Sequence, residues 1–196
     1  MKGVALKLVP RVNATSKNGC LKEVDNATKI NSICESAPNT AKLLHSCIFP
    51  KIPTTVCSQY SLSPHKTHFA MFMEMCGSEL TGRIKFKSDE QVKSVICQII
   101  FFLVAARKKS GYSHNDFHKR NILINDTRKE TICYKVEGTE YVLKTSGVWV
   151  TVIDYEGNTF DDEGNRADFL RLDGIFNDLK MQMKGKDGKH VCIKSN

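Results

Sequence analysis

The stretch Gly111–Ile124, "GYSHNDFHKRNILI", decides how this chain is read. Positions His114 to Asn121 hold two histidines, an acid, two bases and two amides, and a β-prone apolar run follows at once. A solvated loop has no use for such an arrangement. Asp116 and Asn121 bracket a short loop between a helix and a strand. The helix upstream is "EQVKSVICQIIFFLVAARKKS", Glu90 to Ser110. Ser88 is its N-cap, acids fill its first turn, bases fill its last, and Gly111 follows it. Its stripe of Val95, Ile99, Phe102 and Ala106 reads as core.

Downstream, "NILI" (Asn121 to Ile124) reads as a short strand. "TICYKVEG" and "EYVLKT" meet around Gly138 as a hairpin. "VWVTVIDY" (Val148 to Tyr155) is a second buried strand, and Asp154 ends it, thirty-three residues after Asn121. Two such strands side by side bring Asp116, Asn121 and Asp154 to one edge. The oxygens of Asn121 and Asp154 suit Mg²⁺, which favours a carboxylate, waters and phosphate oxygens. Asp116 then stands free beside them to orient a hydroxyl and accept its proton. That division of labour is what phosphoryl transfer requires.

The neighbouring phosphates need a cation. "VALK" (Val4 to Lys7) offers Lys7, if its side chain takes the inward phase of the first strand, "GVALKLV", which Pro10 ends. Glu23 on the next helical stretch, Asn18 to Ser36, is the best-placed carboxylate to hold it, and Glu35 is second. Residues 37–56 read mostly as loop, with a short helical piece at "TAKLLHSC" (Thr40 to Cys47). "HFAMFMEM" (His68 to Met75) reads as a buried strand. "NTFDDEGNR" reads as loop, "ADFLRLDGIFNDLKMQM" as a last amphipathic helix, and "KGKDGKH" as a loose tail. Strands and helices do not alternate strictly, which predicts an α+β protein with a small first lobe.

Composition sets bounds on this reading. The chain has 196 residues, 41% of them hydrophobic, enough for a real core. A formal charge of +8 favours contact with phosphate, an acidic surface or a nucleic-acid-associated partner, although lysines spread along the chain also serve solubility. None of the eight cysteines forms a C-x-x-C pair, so a zinc site is not expected. The longest apolar run, Ile99 to Ala106, is too short to span a bilayer. With no signal peptide at the start, the expectation is an intracellular protein, in nucleus or cytoplasm, with no membrane association and reduced thiols. His114 and His118 read as locally packed or hydrogen-bonded side chains, with metal binding the rarer use of such a loop histidine.

Three motifs carry a resemblance. "HNDFHKRN" resembles the protein-kinase catalytic loop H-R-D-x-x-x-x-N, with Asn115 in place of the arginine. "VALK" resembles the V-A-I-K strand, and "IDYE" sits where kinases carry D-F-G. Within the kinases the chain is most similar to the haspin family, whose members carry a histidine two positions after the catalytic Asp (His118 here). Their metal-binding Asp is followed by Tyr (Tyr155 here), and a β-hairpin separates catalytic loop and metal strand. Kinase-like proteins of large DNA viruses share several of these features.

The resemblance implies a bilobal protein kinase-like fold, with a small lobe over residues 1–76 and a large lobe over 77–196. It implies ATP and Mg²⁺ as cofactors and a Ser/Thr hydroxyl of a protein as acceptor. Lys7 would hold the α/β-phosphates with Glu23 as its partner, Asp116 would be the catalytic base, and Asn121 and Asp154 would hold the metal. Ala5 and Leu123 would sandwich the adenine, Glu74 and Cys76 would present backbone groups to its edge, and Met73 would be the gatekeeper. Asp168 resembles the helix Asp that pins the catalytic loop from below.

The pattern also departs from the family. No glycine-rich loop precedes "VALK", no A-P-E appears, and few residues remain for the large lobe's later helices. The expectation is therefore a reduced small lobe lacking the Gly-rich-loop strands and a shortened large lobe. Asn115 removes the arginine that reads activation-loop phosphate, so control by that route is not expected. Two other classes stay open: a pseudokinase that serves as a binding module, and a small-molecule kinase of the choline or aminoglycoside type.

Overall fold

The computed structural model describes residues 3–10, 14–49, 54–59, 67–81, 84–161 and 167–182. The tail "KGKDGKH" lies outside them. Three strands open the chain: β1 (Val4–Pro10), β2 (Leu43–Phe49) and β3 (His68–Glu74) form one antiparallel sheet in the order β1-β3-β2. Helix α1 (Ala14–Ile33) and the short α2 (Thr54–Gln59) lie between them in sequence. α1 starts before the expected Asn18 and runs through Gly19. A mid-helix glycine costs roughly 1 kcal/mol. Burial of Ala27, Ile30 and Ile33 at helical spacing outweighs that cost.

The expected helical piece at Thr40 to Cys47 is instead strand β2 with its lead-in. An apolar run this short does not distinguish the two structures. The open edge of β3 decides, by offering backbone partners from Met73 to His68, with a register shift at Leu44.

The rest of the described chain is built around α3 (Asp89–Ser110). Ser88 accepts a hydrogen bond from the Gln91 N–H. At the other end Gly111, at φ 67°, donates its N–H to the Arg107 carbonyl. Val92, Val95, Ile99, Phe102 and Ala106 are buried along one face. Against that face lie the hairpin β7 (Thr131–Val136) and β8 (Thr139–Lys144), and the strand β9 (Val148–Val152).

β9 pairs with β6 (Ile122–Asp126), which in turn pairs with β4 (Ser78–Glu79). Gly77 precedes β4 where a Cβ would sit 1.8 Å from the Ile124 carbonyl oxygen, so only glycine lets these backbones approach. β9 stops at Val152, three residues short of the expected Tyr155, because the backbone turns left-handed at Asp154. Inside the expected loop "NTFDDEGNR", β10 (Thr159–Phe160) pairs with β5 (Tyr112–Ser113). α4 (Ala167–Gln182) closes the described chain and buries Leu172, Ile175 and Leu179. No helix among the described residues is long and apolar enough to cross a membrane.

A buried polar knot joins the segment before β2 to this second body. Asn39 Nδ2 donates to the Val150 carbonyl at 2.7 Å and to Gln98 Oε1 at 3.1 Å. Its Oδ1 accepts from the Tyr134 hydroxyl, and its backbone carbonyl accepts from the Val152 N–H. Gln98 continues the network to the Val148 carbonyl and the Val150 N–H. Nearby, the fully buried Tyr155 hydroxyl accepts from the Ala41 N–H and donates to the Val152 carbonyl. Residues 39–41 are thus laid along β9 and tied to α3 and β7.

A second anchor is His114, fully buried, whose Nε2–H donates to the Ile153 carbonyl at 2.9 Å. Burial pushes its pKa below the ordinary 6.5, against the smaller opposite pull of the Ile153 carbonyl and nearby acids.

Two outcomes follow from these buried groups. Asn39→Ala strands several partners at once and should lower unfolding free energy by about 2–4 kcal/mol in urea titrations; a change near zero would contradict the knot. The folded state binds fewer protons at His114 than the unfolded one, so its stabilising effect is complete above 6.5 and disappears as pH falls through the lowered folded value. Melting temperature should therefore drop as pH falls below 6.5, and His114→Gln should flatten that slope.

Candidate active site

β1 carries Val4 and Leu6 outward, 52% and 50% exposed, so alternation turns Ala5 and Lys7 inward. Lys7 Nζ lies 2.7 Å and 2.8 Å from the two oxygens of Glu23 on α1. It is also 3.7 Å from Asp154 Oδ1. Glu35, the second candidate, is exposed in the turn after α1 and has no part in this contact.

Burial lowers the Lys7 pKa, but Glu23, with Asp154 and Glu156 behind it, outweighs burial and holds the ammonium above its ordinary range. Burial raises the Glu23 carboxyl above its ordinary range, and Lys7 offsets only part of that. Both values rise, which favours the charged lysine but the neutral acid, because desolvation falls harder on the carboxylate: its side chain is 5% exposed, against 40% for the lysine.

Asn121 closes a 3₁₀ turn, Lys119–Asn121, just before β6. β6 and β9 are antiparallel with Ile122 opposite Val152, so Asn121 and Asp154 emerge at the same end of the pair. The Ile153 N–H donates to the Asn121 carbonyl at 3.0 Å and fixes that juxtaposition. Asn121 Nδ2 donates to the Asp116 carbonyl at 3.1 Å, which leaves its side-chain oxygen for a cation. Asp154 sits at φ 68° and Asn115 at φ 64°, a left-handed backbone that Asp and Asn tolerate better than most residues. A carboxylate and a carboxamide oxygen, with a lysine nearby, are a donor set that fits Mg²⁺ carrying phosphate oxygens.

A cavity of ≈ 640 Å³ gathers most of the expected residues. Ala5, Lys7, Glu23, Asn121, Leu123 and Asp154 line it. So do Met73, Glu74 and Cys76, on the segment that leaves β3. The Glu74 N–H donates to the Lys42 carbonyl, and the Cys76 thiol lies 3.3 Å from the Glu74 carbonyl. Asp116 is not on this wall. It lines an adjoining recess with Lys22, Glu156, Gly157 and Asp154, and Asp154 belongs to both hollows.

Asp116 does not stand free, as the sequence suggested. Arg171 Nη1 on α4 donates to its Oδ1 at 3.0 Å, and His118 Nε2 is 3.4 Å from its Oδ2. An expectation drawn from the loop alone has no access to a partner fifty-five residues away. Asp168, one turn earlier on α4 and buried, accepts the backbone N–H groups of His114 at 2.6 Å and Asn115 at 2.9 Å.

Other residues shape the site without having been assigned a place in it. Asn115 Nδ2 donates to the Gly157 carbonyl and to Thr159 Oγ1, so the loop grips the segment after Asp154. From the opposite side, Asn26 of α1 donates to the carbonyls of Tyr155 at 2.7 Å and Asn158 at 3.1 Å. Arg120 and Glu79 also line the larger cavity. The departure from the kinase pattern at Asn115 was a usable signal, whereas nothing in the sequence around Asn26 marks it.

The chain is similar to curated proteins, two of them named as haspin homologs. Over 93 residues it is 30% identical to a serine/threonine-protein kinase haspin homolog of Arabidopsis thaliana, covering 47% of this chain and 15% of that protein. Over 83 residues it is 34% identical to the haspin homolog of Drosophila melanogaster, covering 42% and 14%. An uncharacterized protein of Caenorhabditis elegans is 24% identical over 165 residues, covering 83% of this chain and 54% of its own length. The chain thus spans about half or less of the curated relatives it matches. The model of the haspin-like kinase domain matches residues 1–191. The chain belongs to the haspin-like kinase family, and its mixed helix-and-sheet architecture is a kinase-like fold.

Proposed function

We propose that this protein transfers the γ-phosphoryl group of ATP, with Mg²⁺, to a Ser or Thr hydroxyl of a protein substrate. The observation that carries the reading is the meeting of Lys7, Glu23, Asn121 and Asp154 on one cavity, with Asp116 in the recess that Asp154 shares. The Arabidopsis and Drosophila relatives, named as serine/threonine kinases, support the acceptor class.

In this reading residues 1–76 act as the small lobe and 77–196 as the large lobe, with the nucleotide between them. Ala5 from β1 and Leu123 from β6 press on the two faces of the adenine. The Glu74 carbonyl and the Cys76 N–H meet its edge, and Met73 limits the depth behind it. Lys7, kept charged and aimed by Glu23, binds the α/β-phosphate oxygens. Asn121 and Asp154 supply the protein's oxygens to the metal. A Mg²⁺ ion held there would supply positive charge to stabilise the negative charge that builds on the transferred phosphoryl group. Asp116 accepts the proton of the incoming hydroxyl as that oxygen bonds to the γ-phosphorus, the bond from the γ-phosphorus to the β-phosphate oxygen breaks, and ADP leaves. The half-exposed recess around Asp116 is where a peptide hydroxyl reaches it.

Two variants separate binding from chemistry. Asp154→Asn should abolish the Mg²⁺-dependent thermal shift caused by ATP. Asp116→Ala should keep that shift while phosphate transfer to a generic protein substrate falls by about 10²–10⁴-fold. Parent-like transfer by both proteins would overturn the assignment. A parent that transfers phosphate only to small alcohols or amines would redirect it to a small-molecule acceptor.

A further inference from the structure

Arg171 has no role in the reading above, yet it touches the residue on which the chemistry turns. Its Nη1 donates to Asp116 Oδ1 at 3.0 Å across fifty-five residues of sequence. We infer that Arg171 is a positioning residue for phosphoryl transfer: its guanidinium holds the Asp116 carboxylate in the orientation from which it takes the acceptor's proton. This inference rests on the proposed role of Asp116.

The arm that carries Arg171 is rigid. Leu172, Ile175 and Leu179 bury α4 in the core. Asp168, three residues before Arg171 and so on the same face, is bolted to the backbone of His114 and Asn115. One helix face therefore holds the loop twice, first by its backbone and then by its reactive side chain.

Asp116 needs such a hold. Its side chain is 56% exposed, and His118 approaches its other oxygen only to 3.4 Å, beyond a good hydrogen bond. An exposed carboxylate with one loose neighbour samples several rotamers. A planar guanidinium donor narrows that choice, and the carboxylate retains acceptor positions for the substrate hydroxyl. Two neighbouring cations are directed elsewhere, Lys119 to Asp178 at 2.8 Å and Lys7 to Glu23, while Lys22 lines the same recess as Asp116. Stability alone does not explain the pair. Both members are about half exposed, and exposed ion pairs contribute little to folding.

Misorienting a reacting group by about 1 Å costs on the order of 10²-fold in rate. The test is a double-mutant cycle on the intact chain with Arg171→Gln, Asp116→Ala and the two combined, followed by ³²P transfer to a generic protein substrate. Arg171→Gln should lower kcat by about 10–100-fold while KM for ATP and the Mg²⁺·ATP thermal shift stay at parent values. Arg171→Lys, which keeps the charge but not the planar fork, should recover part of kcat. In the Asp116→Ala background, Arg171→Gln should change residual turnover less than about twofold, because there is no carboxylate left to hold.

Unchanged kcat in Arg171→Gln, or equal losses in both backgrounds, would overturn the inference while leaving Asp116 as the base. A parent that transfers no phosphate would overturn the underlying reading, and the inference with it.

Discussion

The register between β6 and β9 is the constraint on which the site depends. Ile122 faces Val152 across two antiparallel strands, so the residue before one and the acid beyond the other leave at the same end. The hydrogen bond from the Ile153 N–H to the Asn121 carbonyl closes that end. A slip of one residue would turn Ile122, Ile124, Val150 and Val152 inside out, and their burial forbids it. The hydrophobic core thus fixes the separation of the two polar side chains.

The other half of the site is held to this pair through α1. Glu23 and Asn26 lie one turn apart on that helix. Glu23 reaches Lys7, and Asn26 reaches the backbone just past Asp154. A movement of α1 would therefore alter Lys7 and the segment after Asp154 together. That segment is gripped from the other side by Asn115. The Asn39 knot and the Tyr155 hydroxyl tie the lead-in of β2 to β9 in the same way. No phosphate is needed for any of these contacts. With Asn115 where the kinase pattern has arginine, ordinary amide hydrogen bonds hold the segment after Asp154.

The sequence revealed the parts of this arrangement that follow from local chemistry. α3 was legible because its Ser88 cap, its charged ends and Gly111 all agree with its buried stripe. The inward phase of Lys7 follows from strand alternation, and the two apolar runs of β6 and β9 announce themselves. Asp168 was found through resemblance, and its hydrogen bonds give the physical reason for its position. What escaped were contacts set by tertiary register. "LLHSCIF" becomes a strand only because β3 has an edge to fill. Asn39 looks like any turn residue until Gln98, Tyr134 and Val150 surround it. Arg171 meets Asp116 only because α4 is laid against the loop His114–Asn121.

The central claim is that Asn121 and Asp154 share one divalent cation beside a nucleotide's phosphates. Anomalous diffraction from crystals grown with Mn²⁺ and a non-hydrolysable ATP analogue tests it most directly. The account predicts a manganese peak within coordination distance, about 2.0–2.3 Å, of oxygens from both side chains and of phosphate oxygens. A nucleotide seated with its metal away from both residues, or no peak at the end of the β6–β9 pair, would contradict it.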